Sequence, residues 1–184
     1  CPPEPSGYWY IGHAKAWTIN FETAKKFGGK TYLRMDDSNP VKEEGEFADS
    51  YMADLEWLGF KPEKMVYASE TYFEDIYKIA EKMIENGDAY VCELTAEEVS
   101  KTRGTLTEPG KNSPYRDRSP QENLKLFREM RDGKYPDGSK TLRAKIDMAH
   151  PNINMRDPVM YKIARLEHYR VGNKWCIWPQ YDFV

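Results

Sequence analysis

Within roughly the first 60 residues the chain passes from extended to helical patterning twice, which is the strongest constraint on its fold. Pro2, Pro3 and Pro5 fix an extended lead-in, and Ser6-Gly7 is turn chemistry. From His13 the apolar residues Trp17, Phe21 and Ala24 take helical spacing, until Gly28-Gly29 stops the run. Thr31-Tyr32-Leu33-Arg34-Met35 alternates and is rich in β formers, as a core strand should be. Lys42–Leu58 is helical again, with Phe47, Tyr51, Leu55 and Leu58 on one face and Gly59 at its end. Such alternation predicts an α/β fold built on a doubly wound parallel sheet.

Two places in that frame carry candidate chemistry. A strand–turn–helix junction at Tyr10-Ile11-Gly12-His13 leaves free N–H groups and the positive end of a helix dipole facing solvent. Gly12 has no side chain, so a base or phosphate could lie on its backbone, and His13 supplies a proton-bearing ring beside it. Taken alone, the Gly-His pair fits a nucleotide site or an ordinary helix start. Asp36-Asp37-Ser38-Asn39-Pro40 follows the first core strand directly, where open α/β sheets bind ligands. The same residues also form solvated turns, and both readings stand at this point.

The remainder is mixed. Glu70–Asn86 is expected to be a helix with Tyr72, Ile76, Ile79 and Met83 inward, followed by a strand at Ala89–Cys92. Thr95 and Glu98 have capping-box spacing, and Ser119-Pro120-Gln121-Glu122 opens a helix that ends near Gly133. Strands are expected at Thr141–Ile146, Val159–Ile163 and Lys174–Trp178. Residues 71–178 thus read as an α+β domain set into the first, with the chain returning at 179–184. Between Lys101 and Arg118 lie five basic residues and two acidic ones, in a loop rich in Gly and Pro that carries Leu106 and Tyr115. Basic groups there could neutralise phosphates while apolar ones wedge against bases, or the loop could simply be exposed.

Composition narrows the classes. A net charge of −3 over 184 residues excludes a general nucleic-acid glue, so RNA contact would need a local basic patch. No apolar run approaches the ~18 residues of a membrane span, and no basic-then-apolar leader opens the chain. Three cysteines (Cys1, Cys92, Cys176) and three histidines lack metal-ligand spacing, so neither zinc nor a disulfide framework is expected. A reducing, cytoplasmic setting is the expectation.

Pro-Pro-Glu-Pro-Ser-Gly-Tyr followed by Ile-Gly-His-Ala-Lys resembles the HIGH region of class I aminoacyl-tRNA synthetases, in their glutaminyl/glutamyl branch. Asp36-Asp37-Ser38-Asn39-Pro40, the Arg103–Arg118 string and Tyr181-Asp182-Phe183 fall in the same order as in that family, and the resemblance covers essentially the whole chain. It implies a Rossmann-like, HIGH-type nucleotide-binding fold in residues 1–70 with an inserted acceptor-stem-binding domain, and a parent that continues at both ends. It further implies ATP with Mg²⁺ as substrate, held by Glu4, Pro5 and Ser6 on one side and by Tyr10, Ile11, Gly12, His13, Ala14, Lys15 and Ala16 on the other. His13 and Tyr10 would be catalytic, although the family has a histidine where this chain has Tyr10. Asp36 and Tyr181 would recognise L-glutamine across the cleft. Arg103, Leu106, Lys111, Arg116 and Arg118 would hold the acceptor stem of tRNA(Gln), with the leucine opening its first base pair. The Arg-Gly-Thr-Leu-Thr and Gly-Asn-Lys-Trp-Cys-Ile strings look like the glutaminyl members. A glutamyl enzyme, or an RNA-binding module that has lost its chemistry, is the alternative.

Overall fold

A computed structural model describes residues 2–184, and Cys1 lies outside the described residues. The chain forms two compact units, one running to Phe73 together with Glu167–Gly172, the other comprising Glu74–Leu166 and Asn173–Val184.

In the first unit α1 (Ile11–Lys26) is followed by β1 (Tyr32–Met35), α2 (Gly45–Trp57), β2 (Lys64–Tyr67) and a short α3 (Ala68–Thr71). Gly28, at φ +66°, lets the chain leave α1 in a conformation that a side chain would disfavour. The two strands pair in parallel, from Tyr32 opposite Lys64 to Met35 opposite Tyr67. The expected parallel sheet is therefore present, as two strands. Trp17 and Phe21 of α1, Leu33 and Met35 of β1, and Ala48, Tyr51 and Leu55 of α2 form its core. The proline-rich lead-in pairs with no strand, because proline offers no N–H to a ladder. It is tied instead by single backbone bonds, Asp36 N–H to Pro3 O at 2.9 Å and Glu44 N–H to Pro5 O at 3.2 Å.

The second unit holds α4 (Phe73–Asn86) from Glu74 on, then β3 (Ala89–Cys92), α5 (Ala96–Thr102), α6 (Pro120–Arg131), β4 (Thr141–Ala144), β5 (Val159–Ile163) and β6 (Ile177–Pro179). Its four strands form an antiparallel sheet in the order β3-β4-β5-β6. Both caps form as the sequence implies: the Thr95 hydroxyl accepts from Glu98 N–H, and the Ser119 hydroxyl from Glu122 N–H. Arg131 lies over the rings of Tyr77 and Trp175, 4.3 and 4.5 Å from their centroids, and pairs with Glu74 at 2.7 Å.

Several expectations need correction. The helix expected over Glu70–Asn86 breaks at Tyr72, and its buried face is Phe73, Ile76, Tyr77, Ala80 and Ile84. Tyr72 and Ile79 are exposed, because the break resets the helical phase that the longer reading assumed. Strand β2 was not expected, α2 starts at Gly45 rather than Lys42, and the last strand is only Ile177–Pro179. Residues 179–184, expected to rejoin the first domain, pack in the second unit, where Pro179 pairs with Tyr161 and Gln180 N–H bonds Met160 O. The segment Glu167–Gly172, by contrast, belongs to the first unit.

Candidate active site

The lead-in to α1 is fixed by aromatic packing. Trp9 stacks on Trp17 of α1 and on Tyr51 of α2, with centroids 5.0 and 4.4 Å away. The Tyr51 hydroxyl sits 2.9 and 2.7 Å from the carbonyl oxygens of Glu4 and Gly7, so one side chain holds both ends of the Glu4–Gly7 bend. Burial pushes the Tyr51 hydroxyl above its ordinary pKa, which keeps it a donor. Pro5 is buried beneath the bend, and Glu4 and Ser6 are exposed.

His13 lies in the first turn of α1, and its Nδ1 accepts from Tyr10 N–H at 3.3 Å. That bond selects the tautomer with the proton on Nε2, leaving a donor on the far side of the ring. Trp9 stacks parallel to the imidazole at 5.9 Å and Tyr10 meets it edge-on at 4.3 Å. Gly12 is exposed, and a Cβ there would fall 2.7 Å from the Tyr10 ring, so the ring lies close along one side of it. Tyr10 and Ile11 are 68 % and 84 % exposed, Lys15 is exposed, and Ala14 and Ala16 are half-buried.

The Asp36–Asn39 corner is not a solvated turn. Asp36 and Asp37 are 2 % and 0 % exposed. Burial raises the Asp36 carboxyl above its usual range, opposed by a 2.9 Å bond from the Ser38 hydroxyl. Asp37 accepts from Ser69 twice, from its N–H at 2.8 Å and from its hydroxyl, so it ties β1 to the start of α3. Glu43 accepts from Asn39 N–H at 2.8 Å, and burial pushes its carboxyl up to about 7.

His168 closes this corner from 131 residues away in sequence. Its Nδ1 accepts from the N–H groups of Arg170 and Val171, at 3.1 and 3.2 Å. With Nδ1 accepting, the ring donates through Nε2, which lies 3.0 Å from Asp37 O and 3.5 Å from Glu43 Oε2. Arg170 anchors the same segment through three bonds to Glu70, at 3.2, 2.9 and 2.8 Å, and through the Tyr67 ring at 3.8 Å. Neither Glu43 nor His168 stood out in the sequence, because each sits among ordinary polar residues.

In the second unit the basic loop divides. Arg116 pairs with the buried Asp157 at 2.8 Å, and Arg118 with Glu93 at 2.7 Å while also bonding Val91 O. These two guanidinia are engaged in holding the fold. Leu106, by contrast, is 79 % exposed at the tip of the Gly104–Glu108 bend, and Lys111 is exposed. Arg156 Nη1 gathers the carbonyls of Arg103, Thr105 and Glu108 at 2.8–2.9 Å, so the bend beneath Leu106 is pinned at three points. Gly104 has φ +78°, and a Cβ there would lie 2.6 Å from Glu108 O, so no other residue fits. Tyr181 opens a 3-10 turn after β6 and is 70 % exposed.

The first unit thus presents an imidazole at a helix start and two buried carboxylates at a strand end, and the second an exposed leucine on a pinned loop. The family model for class I tRNA synthetases (E and Q), catalytic domain, matches residues 1–184. The chain belongs to this family. It is 59 % identical over 183 residues to a glutamine–tRNA ligase of Rhodopirellula baltica, covering all of this chain and 30 % of that protein. A glutamine–tRNA ligase of Clostridium perfringens is 57 % identical, with 33 % of its length covered. The chain thus spans about a third of the curated relatives it matches. A crystal structure of a glutamate tRNA ligase from Elizabethkingia meningosepticum shares the fold, with TM-score 0.63 and 22 % identity over 99 % of this chain and 39 % of that one. Among the described residues of this synthetase chain no helix is long and apolar enough to cross a membrane.

Proposed function

We propose that the protein carrying this chain is a glutamine–tRNA ligase, and that this portion supplies its ATP, glutamine and acceptor-stem contacts. The observation that carries the reading is 54–59 % identity over the whole chain to ligases of that name. The buried Asp36 at the end of β1 supports it, because a small polar substrate is selected best by groups that have already left water.

The reaction is acyl transfer in two steps. A glutamine carboxylate oxygen attacks the α-phosphorus of ATP, the bond to the β-phosphate oxygen breaks, and pyrophosphate leaves. A terminal ribose hydroxyl of the tRNA then attacks the acyl carbon and AMP departs. Side chains here position groups and neutralise charge rather than form bonds. Residues Glu4–Ser6 and Tyr10–Ala16 flank the nucleotide, and Mg²⁺ enters with the ATP phosphates. His13 Nε2–H and the Tyr10 hydroxyl are donors for phosphate oxygens, the tyrosine taking the place of the family's first histidine. Asp36 accepts from the glutamine ammonium or side-chain amide, and Tyr181 tests the amide with a hydroxyl that both donates and accepts. Leu106 wedges the first base pair, which costs a few kcal/mol that contacts to the freed strand must offset. Arg103 and Lys111 face the stem, and Arg116 and Arg118 frame it, within an acceptor-stem domain formed largely by residues 71–178. The setting is the cytoplasm, where translation supplies the tRNA.

Aminoacylation by the full-length protein, with glutamine and glutamate in parallel, tests this. Charging with glutamine is expected. Charging with glutamate alone would move the protein to the sister activity, and charging with neither would leave an RNA-binding module.

A further inference from the structure

Helix α2 grips the lead-in to α1 along one stripe. Glu44 N–H, at its start, bonds Pro5 O at 3.2 Å, and the Phe47 ring meets Tyr8 edge-on with centroids 5.0 Å apart. Tyr51 follows one turn later and is 2 % exposed. Residues 44, 47 and 51 fall on one helix face, and the apolar spacing alone marks Tyr51 as core. Its side chain nevertheless serves both nucleotide-flanking segments. The hydroxyl reaches the carbonyls of Glu4 and Gly7, and the ring stacks on Trp9 with 22° between the planes. Trp9 in turn lies within 9° of parallel to the His13 imidazole.

A core aromatic needs no hydroxyl, since a phenylalanine would stack on Trp9 with the same ring. Burying the hydroxyl costs desolvation, which only its bonds to the bend can offset. A phenol has one proton, so Tyr51 shares it between two carbonyl oxygens that cannot donate in return. Glu4 O also accepts from Ser6 N–H at 2.9 Å, so the bend is closed twice, locally and from α2. Pro2, Pro3 and Pro5 bring no N–H, which leaves the lead-in few donors of its own. We propose that Tyr51 is a positioning residue for the nucleotide, its hydroxyl setting the Glu4–Ser6 segment against the start of α1. The inference rests on the ligase reading above and adds to it a residue that touches no substrate. A preformed bend spares ATP the cost of ordering it on binding. Glutamine gains little from the same bond, because its contact, Asp36, is held by Ser38.

The test is steady-state aminoacylation by the full-length protein with Tyr51→Phe, varying ATP, glutamine and tRNA separately. The KM for ATP is expected to rise about fivefold, with the other two constants within about twofold of wild type. A fluorinated tyrosine at position 51 is the conservative control. It keeps the hydroxyl on a more acidic ring, so its ATP KM should match wild type at neutral pH and rise as alkali removes the proton. If thermal melts show Tyr51→Phe to be misfolded, that pH profile carries the comparison, and a profile superimposable on wild type would overturn the proposal. In a folded Tyr51→Phe, an unchanged ATP KM, or equal rises for ATP and glutamine, would reduce Tyr51 to a core residue and leave the ligase reading intact. Equilibrium ATP binding separates the two claims. Wild type that binds ATP but charges no tRNA removes the ligase reading. Tyr51→Phe then upholds the positioning role by binding ATP more weakly, or overturns it by binding equally. Wild type that binds no ATP removes both.

Discussion

The Asp36–Asn39 corner and the Gly104–Glu108 bend are both irregular backbone, and they solve opposite problems. The corner buries two carboxylates and satisfies them with Ser38 and Ser69, while His168 bonds the Asp37 carbonyl. The bend satisfies its own carbonyls through Arg156 and pushes an apolar side chain into solvent. A site for a small substrate benefits from charge already removed from water, where each polar contact discriminates strongly. A site for a large partner benefits from a rigid projection whose cost in conformational entropy has been met before binding. In both, the ordering groups come from distant parts of the chain.

The contrast is broken most severely at Asp37. Asp37→Ala strips two acceptors from Ser69 in a fully buried position, and its stability should fall by about 3 kcal/mol, read as a lower melting temperature. A change below 1 kcal/mol would mean that the corner is looser than its bonds imply. Gly104→Ala attacks the other region. It forces a Cβ onto Glu108 O at positive φ and should cost about 2 kcal/mol. Hydrogen exchange should localise the loss to residues 103–108.

A smaller effect sharpens the electrostatic side. Glu43 faces Asn39 N–H, the His168 ring and the Asp37 carboxylate, and burial pushes it from 4.5 up to about 7. The folded state therefore holds this proton more tightly than the unfolded chain does. Its contribution to stability is complete below pH 4.5 and is lost as pH rises through about 7. Between pH 5 and 7.5 wild type should lose on the order of 1–3 kcal/mol that Glu43→Gln does not lose. Parallel pH profiles of the two melting temperatures would show that Glu43 does not titrate in this way.

These regions also show how far the sequence could be read. The caps at Thr95 and Ser119, the strands at 89–92 and 159–163, and the glycine stops after α1 and α2 are local, and local chemistry announces them. The parallel pairing was legible as an alternation, but β2 was not, since Lys64–Tyr67 has only four residues and no alternating burial. Asp-Asp-Ser-Asn-Pro reads as a turn because its burial is conferred by Ser69 and His168, 32 and 131 residues from Asp37. Arg116 and Arg118 read as available charge because their partners, Asp157 and Glu93, are 41 and 25 residues away. Tertiary partners of this kind leave no mark on the local pattern.

The division of labour between corner and bend is tested most directly by steady-state aminoacylation with Asp36→Asn and Leu106→Ala, varying glutamine and tRNA separately. Asp36→Asn is expected to raise the KM for glutamine by about tenfold or more with the tRNA KM unchanged. Leu106→Ala, at a position 79 % exposed, should leave glutamine binding and stability within about 0.5 kcal/mol of wild type and lower kcat/KM for tRNA. If both substitutions moved the same constant, the two regions would not serve different substrates.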